Sequence, residues 1–478
     1  MHSLSYNPDY FQKTLTELVP VLSHYLNSSS QSEQKVLIQK PIANILAELD
    51  FSRLISEGGG ALPEIITTLL GHCNHMLDPR YIGHQVAVPM MPAIFADLVN
   101  GVTNNAMPVY EMGPAATAVE RGLISWFLGK TGWQTHGDGV LTHGGSLANQ
   151  TCLLAARAHA LPQAWEKGVD RNAVILASAA CHYSIAKMAA ILGVGTAQVI
   201  PVTVDEVFRM RPGALTKTYA AQKEAGKKIM AVVANACVTA TGVYDPIKDI
   251  AEFCREHNLW LHIDGAHGAS ALVSQKYRHF LDGIELADSL TWDTHKMLGT
   301  SALCGAALFR RKECLDATFR QQGTYLFTDQ QKEGVDISER TVECTKSMMG
   351  LKLFFNLAVL GEAGLAAHVD TLYNNTRLFY TFINERPGFS CLCPPEANVL
   401  CFRYGVNSAL QDSLRQELVA EGNFYITRAT VHGESYLRLS VMNPLTAEQH
   451  ISKLCDRLEQ LAGHLNTEFK RGNHDNAE

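Results

Sequence analysis

The chain has 478 residues, 46% hydrophobic and 18% charged, with a formal net charge of −7. That length and apolar content can bury a large core, and more than one domain is expected. Without a basic stripe or polybasic run, neither nucleic acid nor a membrane surface is expected as a partner.

The opening residues, MHSLSYNPDYFQKTLTELVP, lack a basic region followed by an apolar run, so no secretory signal is expected. Residues 1–70 read as helices around a polar joint at 27–34, NSSSQSEQ. Between 71 and 120, prolines at 79, 89, 92, 108 and 114 break any long element. In that stretch His72, Cys73 and His75 do not have the spacing of a recognised metal site, and no metal is expected.

From about 137 the pattern alternates. A continuously apolar run at 172–178 reads as a strand buried on both faces, and 197–202, 229–236, 259–264, 288–293 and 305–310 read as further strands. Helical patterns fall between them: 182–193, ending at Gly193, and 245–258, where Asp245 is the expected N-cap and Pro246 the first helical residue. Strands alternating with helices predict an α/β fold with a mostly parallel sheet. After about 345 the chain reads as helical, then as a smaller α+β segment with strands near 397–404 and 435–442 and a frayed tail. No apolar stretch approaches the roughly 20 residues of a bilayer span. The twelve cysteines are scattered, Cys391 and Cys393 being the closest pair, which suggests a cytoplasmic thiol protein.

Four short stretches fall where strands end, the edge at which such sheets build their sites. In LTHGGSLANQ, Gly144 and Gly145 precede a helix with Ser146 in its first turn. A helix N-terminus can hold a phosphate, although a tight turn into a helix would read the same. His182 follows the strand at 172–178 and could be a packing histidine or a site residue. Asp264 ends the apolar strand LWLHID, where a carboxylate is costly unless paired, whether by a cationic ligand or a salt bridge. Gly265 and Ala266 beside it leave room for a flat ring. His295 and Lys296 end TWDTHK; a lysine there is shielded from water, which favours the neutral, nucleophilic amine. A phosphate cup, a stacking histidine, an aspartate and a lysine, in that order, make up a pyridoxal-phosphate site.

Residues 75–445 resemble the group II pyridoxal-phosphate decarboxylases, which act on glutamate, cysteine sulfinate, aspartate or aromatic amino acids. The resemblance implies a fold type I enzyme: a mostly parallel sheet flanked by helices, an N-terminal helical segment (1–115), a cofactor domain (116–372) and a small C-terminal α+β domain (373–478). It implies pyridoxal 5′-phosphate as cofactor, with Gly145 and Ser146 on the phosphate, His182 on the ring face and Asp264 on the ring nitrogen. Ala266 would lie behind the ring, His295 near the phosphate, and Lys296 would be the Schiff-base lysine. Thr239 lines the cofactor in such enzymes, although NACVTATG departs from their usual Gly-Thr-Thr run. Tyr325-Leu326 and ECTKSMMGLK resemble later family segments, with Lys346 near a more usual arginine.

Substrate contacts implied by the resemblance are His84, by gapless counting, Tyr110 in YEMGP, and Arg438, which could hold a carboxylate or serve in a structural salt bridge. These lean toward a small polar or acidic L-amino acid and leave glutamate, aspartate, cysteine sulfinate and diamino acids open. A homodimer with its active site at the interface is also implied. Relatives carry a tyrosine on a mobile loop that returns a proton to Cα. The stretch 327–340 has none, and counting places Val335 or Ile337 there. Oxidative deamination to an aldehyde is therefore the alternative outcome, followed by another fold type I lyase or aminotransferase activity.

Overall fold

The computed structural model of the chain describes residues 5–319 and 335–474, with side chains as far as residue 465. Asp138–Thr142 forms β1, Ala173–Ser178 β2, Val199–Val202 β3, Lys228–Asn235 β4, Leu261–Asp264 β5, Ser289–Asp293 β6 and Gly305–Phe309 β7. They make one sheet in the order β1-β7-β6-β5-β4-β2-β3. Only β7 runs against its neighbours. The period of two explains the unbroken apolar runs. Val174, Leu176, Val232 and Ala234 face one core, and Ile175, Ala177, Ala231 and Val233 face the other.

Helices cover both faces. In chain order they include Pro8–Ser30 (α1), Met91–Thr103 (α2), Pro114–Thr131 (α3), Gly145–Ala160 (α4), Ser184–Ile191 (α5), Pro212–Glu224 (α6), Ile247–Glu256 (α7), Leu351–Glu385 (α8), Ser408–Glu421 (α9) and Glu448–His474 (α10). A second, antiparallel sheet has the order β10-β11-β9-β8, from Phe389–Cys391 (β8), Val399–Tyr404 (β9), Thr427–Val431 (β10) and Glu434–Ser440 (β11). It packs with α9 and α10 around a third core. The helix α8 joins the two bodies: Leu365, Val369 and Leu372 enter the large core, while Phe379 and Ile383 enter the small one.

Several local expectations are corrected. The polar joint at 27–34 is shifted, because α1 runs through to Ser30. Asp245 does not cap α7, whose N-cap is Pro246. Its buried carboxylate instead accepts hydrogen bonds from the backbone N–H groups of Met210 (2.6 Å) and Asn235 (2.7 Å), and burial pushes its pKa up to about 6. The helix α8 is long and apolar enough, by length and composition, to cross a membrane, with a mean hydropathy of 1.2 over 18 residues. Gly361 breaks it with non-helical angles (φ 67°, ψ 174°), and its second half is committed to the two protein cores. Tyr325 and Leu326, and most of the loop at 327–340, lie outside the described residues.

Lys346, where an arginine is more usual in the family, is fully buried and donates to Glu120 Oε1 (2.6 Å) and the Leu141 carbonyl (2.6 Å). Glu120 also accepts from the Leu141 N–H (3.0 Å), so the pair fastens α3 to β1. Removing one partner strands a buried charge, which typically costs about 3–5 kcal/mol. Glu120→Ala is therefore expected to lower unfolding free energy by about that amount, and Glu120→Leu with Lys346→Met to recover most of it, as read by urea titration.

Candidate active site

The parallel strands β2, β4, β5 and β6 end at one edge of the sheet, and β7, running the other way, begins there. The chain segments at this edge enclose a cavity of about 350 Å³. Gly145, Ser146, His182, Thr239, Asp264, Ala266, His295 and Lys296 all line it.

Each is positioned by its strand. After β1 the chain turns through Gly144, whose φ of 88° favours glycine, and enters α4 at Gly145. The first turn of α4 thus presents free N–H groups to the cavity. A Cβ on Gly145 would lie 2.6 Å from Asp293 Oδ2 and 3.1 Å from the Ala266 Cβ, so the closeness of these three segments requires glycine. Asp264 ends β5; its Oδ2 accepts from Asn149 Nδ2 (3.0 Å) and its Oδ1 from the Ala266 N–H (3.3 Å). Lys296 Nζ lies 3.1 Å from Asp293 Oδ2. His295 Nδ1 is 2.8 Å from the Cys304 carbonyl and its ring abuts Gly144. Burial lowers the pKa of His182, outweighing the opposing pull of Asp264. Cys237 is also on the wall, but burial pushes its thiol up to about 12, so it is not a nucleophile near neutral pH.

The three residues expected to contact substrate do not line this cavity. Gapless counting placed His84 there, but Gln85 occupies the wall. Gly83 is pressed on the Tyr425 ring and His84 Nε2 bonds the Tyr425 hydroxyl at 2.7 Å, so His84 is committed to Tyr425, while Gln85, next along the bend at 83–85, lines the cavity. Gln85 Nε2 is buried and has no hydrogen-bond partner among the described residues. Tyr110 lies in a 3₁₀ turn whose backbone N–H donates to Asp336 Oδ1 (2.8 Å). Arg438 is spent on structure: it donates to the carbonyls of Thr239 (2.7 Å), Ala240 (3.1 Å) and Gly83 (3.4 Å), and to Thr427 Oγ1 (3.2 Å). It pins the Thr239 loop from behind.

Sequence reasoning passed over Gln85, His143, Asn149, His267 and Asp293, all on the wall. Asp293 carried the same signal as Asp264, an acid ending an apolar strand. Its Oδ1 has no hydrogen-bond partner among the described residues. His267 donates Nε2–H to Asn398 Oδ1 (2.6 Å), and burial depresses its pKa to about 3. Its Nδ1 is therefore a bare acceptor without a partner among the described residues. His72 and His75, by contrast, are engaged elsewhere, with Glu48 (3.2 Å) and Ser29 (2.5 Å).

Residues 61–405 match the pyridoxal-dependent decarboxylase conserved domain. The chain belongs to the pyridoxal-dependent decarboxylase family. It is 31% identical to cysteine sulfinic acid decarboxylase of Rattus norvegicus over 406 residues, 80% of this chain and 82% of that protein. It is 30% identical to acidic amino acid decarboxylase GADL1 of Mus musculus over 407 residues, 80% of this chain and 73% of that protein. The crystal structure of mouse CSAD in apo form superposes with a TM-score of 0.88 at 27% identity, covering 95% of this chain and 99% of its own. The protein is a pyridoxal-phosphate-dependent amino acid decarboxylase with a fold type I architecture.

The cavity of this decarboxylase suits that cofactor. An anion can meet the N–H groups opening α4, a cationic ring nitrogen can meet Asp264, and an aldehyde can reach the Lys296 amine. Gly145→Ala would fill the cradle without changing charge. It is expected to weaken pyridoxal-phosphate binding roughly 10-fold or more, the usual scale of overpacking, in a fluorescence titration of the cofactor-free protein.

Proposed function

We propose that the enzyme decarboxylates an acidic L-amino acid to the amine and carbon dioxide. The observation that carries the substrate class is Gln85: a buried side-chain amide on the cavity wall whose donor has no partner among the described residues. An unmade hydrogen bond there is expensive, and a substrate carboxylate would satisfy it. The printed names of the cysteine sulfinic acid and acidic amino acid decarboxylases support the same class.

In this reading Lys296 would hold the cofactor's aldehyde carbon, Gly145, Ser146 and His295 its phosphate, and Asp264 its ring nitrogen. Ala266, Thr239 and His182 would bound the ring. When bound, pyridoxal phosphate supplies the electron sink for the bond that breaks to release carbon dioxide. The chain's own residues do the rest. Asp264, acceptor only and held by two N–H donors, keeps a proton on the group facing it. His182, half-buried and with its pKa lowered by that burial, would cover the reacting face without adding charge. Asp293 holds the Lys296 amine within 3.1 Å until substrate displaces it. Gln85 would orient the substrate by its side-chain acid.

The reading also includes a cytoplasmic homodimer, and the proposed division at 115 and 372. Supporting a dimer, Phe95 and Val102 of α2 and Val359 of α8 are each over 60% exposed, and Phe95 and Val359 share one apolar surface hollow. Tyr110 would then serve the partner's cavity.

A panel of amino acids scored for carbon dioxide, peroxide and aldehyde tests the proposal. Acidic substrates are expected to lead, and Gln85→Leu to lower kcat/KM on them roughly 10- to 100-fold while sparing neutral ones, the worth of a hydrogen bond to a charged group. Preference for a neutral or basic amino acid would overturn the substrate class. Stoichiometric peroxide and aldehyde would replace simple decarboxylation by the oxidative outcome.

A further inference from the structure

Behind Asp264 the sheet contains a run of buried polar groups that none of the roles above uses. Trp260, just before β5, places its indole Nε1 3.0 Å from Ser289 Oγ on β6. Ser289 Oγ is 3.0 Å from His262 Nδ1, and His262 Nε2 is 3.0 Å from Asn149 Oδ1. Asn149 Nδ2 reaches both Asp264 Oδ2 (3.0 Å) and Ser184 Oγ (3.1 Å), and Ser184 Oγ is 2.9 Å from His182 Nδ1. Every member is buried except His182, which borders the cavity. The path runs from the amino end of β5 to its carboxyl end, roughly 13 Å at the usual rise per residue.

The protons in this run have only one arrangement. An indole N–H can only donate and an ionised carboxylate can only accept. Asp264 therefore fixes the Asn149 amide with nitrogen toward it, since the flipped amide would set oxygen against oxygen. Asn149 Oδ1 then faces His262 and needs a donor, so His262 carries its proton on Nε2. Burial depresses the pKa of His262 to about 4, so its Nδ1 is bare and accepts from Ser289, whose oxygen accepts from Trp260. On the other branch, Ser184 Oγ accepts from Asn149 and its own proton goes to His182 Nδ1. A backbone N–H, that of Ser184, independently points at the same nitrogen from 3.3 Å. A proton on His182 Nδ1 would face that N–H, so neutral His182 carries its hydrogen on Nε2.

We infer that Asn149 is a positioning residue for the decarboxylase. Through one side-chain amide, whose oxygen accepts from His262, it donates to Asp264 and to Ser184 and so locks His182 as the Nε2–H tautomer. The two groups proposed to meet the ring nitrogen and the ring face are thereby set by one residue at the fifth position of the helix α4, whose first turn forms the anion cup. The consequence for catalysis rests on the proposed roles of Asp264 and His182; the proton arrangement does not.

The test uses the full-length protein labelled with ¹⁵N-histidine, studied by nuclear magnetic resonance with and without pyridoxal phosphate. The His182 signal is assigned by its loss in His182→Gln. The wild type is expected to show a bare Nδ1 and a protonated Nε2 in both states. Asn149→Leu, which frees the Ser184 hydroxyl to accept, and Ser184→Ala, a milder change that leaves the Asp264 bond intact, each leave only the longer 3.3 Å backbone N–H opposing a proton on Nδ1, so both should raise the share of the other tautomer. Asn149→Leu alone should also lose roughly 10-fold in cofactor affinity, the scale of one hydrogen bond to a charged group. His262→Gln, whose amide can still donate to Asn149, should keep both the tautomer and the affinity. A proton on His182 Nδ1 in the wild type overturns the inference, as does an unchanged tautomer in both variants. The tautomer is read without cofactor, so its failure is distinct from a wrong assignment of cofactor roles, which would show as wild-type affinity in Asn149→Leu with an altered tautomer.

Discussion

A carboxylate at the end of a strand with apolar cores on both faces is stable only if donors or cations meet it there. The large sheet ends two such strands in acids, Asp264 on β5 and Asp293 on β6, and the cavity is arranged around the two answers. Asp264 is met by neutral donors, the Asn149 amide and the Ala266 N–H, which leaves its charge available to a cationic ligand. Asp293 is met by Lys296, three residues further along the same segment. The contrast gives the two acids different work. One faces outward to a partner that must arrive; the other is already paired with the amine that must react.

The glycines follow from the same crowding. Asp293 can lie against the opening of α4 only because Gly145 has no Cβ. That closeness brings the N–H groups of a helix terminus, a lysine and an aspartate to one wall without an extended loop. The geometry is rigid because it is made at strand ends and a helix start, elements whose backbones are already committed.

Much of this framework was legible because burial on both faces writes itself as uninterrupted apolar runs. Strands β2, β4, β5, β6 and β7 read directly from AVILAS, IMAVVAN, LHID, SLTWD and GAALF. Three other strands did not. β1 (DGVLT) is short and opens on Asp138 and Gly139, β8 (FSC) has three residues, and β10 (TRATV) alternates buried and exposed residues, so none gives an apolar run. Asp245 looked like a cap because acid-Pro before a helical pattern is a capping signal. It is instead drawn into the interior by two backbone N–H groups from segments far apart in the chain, which no local pattern could announce. The eight residues assigned to the cofactor share one wall because each follows on a strand or opens the helix after one. His84 was reached by counting without gaps, and the bend at 83–85, which sends His84 to Tyr425 and Gln85 to the cavity, leaves no mark in that count. Asn149 was invisible for another reason: a buried amide on a helix is informative only once its three partners in space, Ser184, Asp264 and His262, are known.

The two halves of the cavity therefore rest on different physics. The cofactor half is built from strand ends whose positions the hydrophobic cores determine, so its residues must stay if the sheet stays. The half proposed to meet substrate is built by the bend around Gln85, fastened to the C-terminal sheet by the Ile82 N–H on the Tyr425 carbonyl (2.9 Å) and by the Ser440 N–H on the Ile82 carbonyl (2.8 Å). Arg438 ties the same sheet to the Thr239 loop on the cavity wall. A change in how the C-terminal sheet seats would move Gln85 and Thr239 together while leaving Asp264, Asp293 and Lys296 in place. Substrate choice can then vary through the C-terminal sheet and the segment it holds, with the decarboxylating chemistry kept by the large sheet.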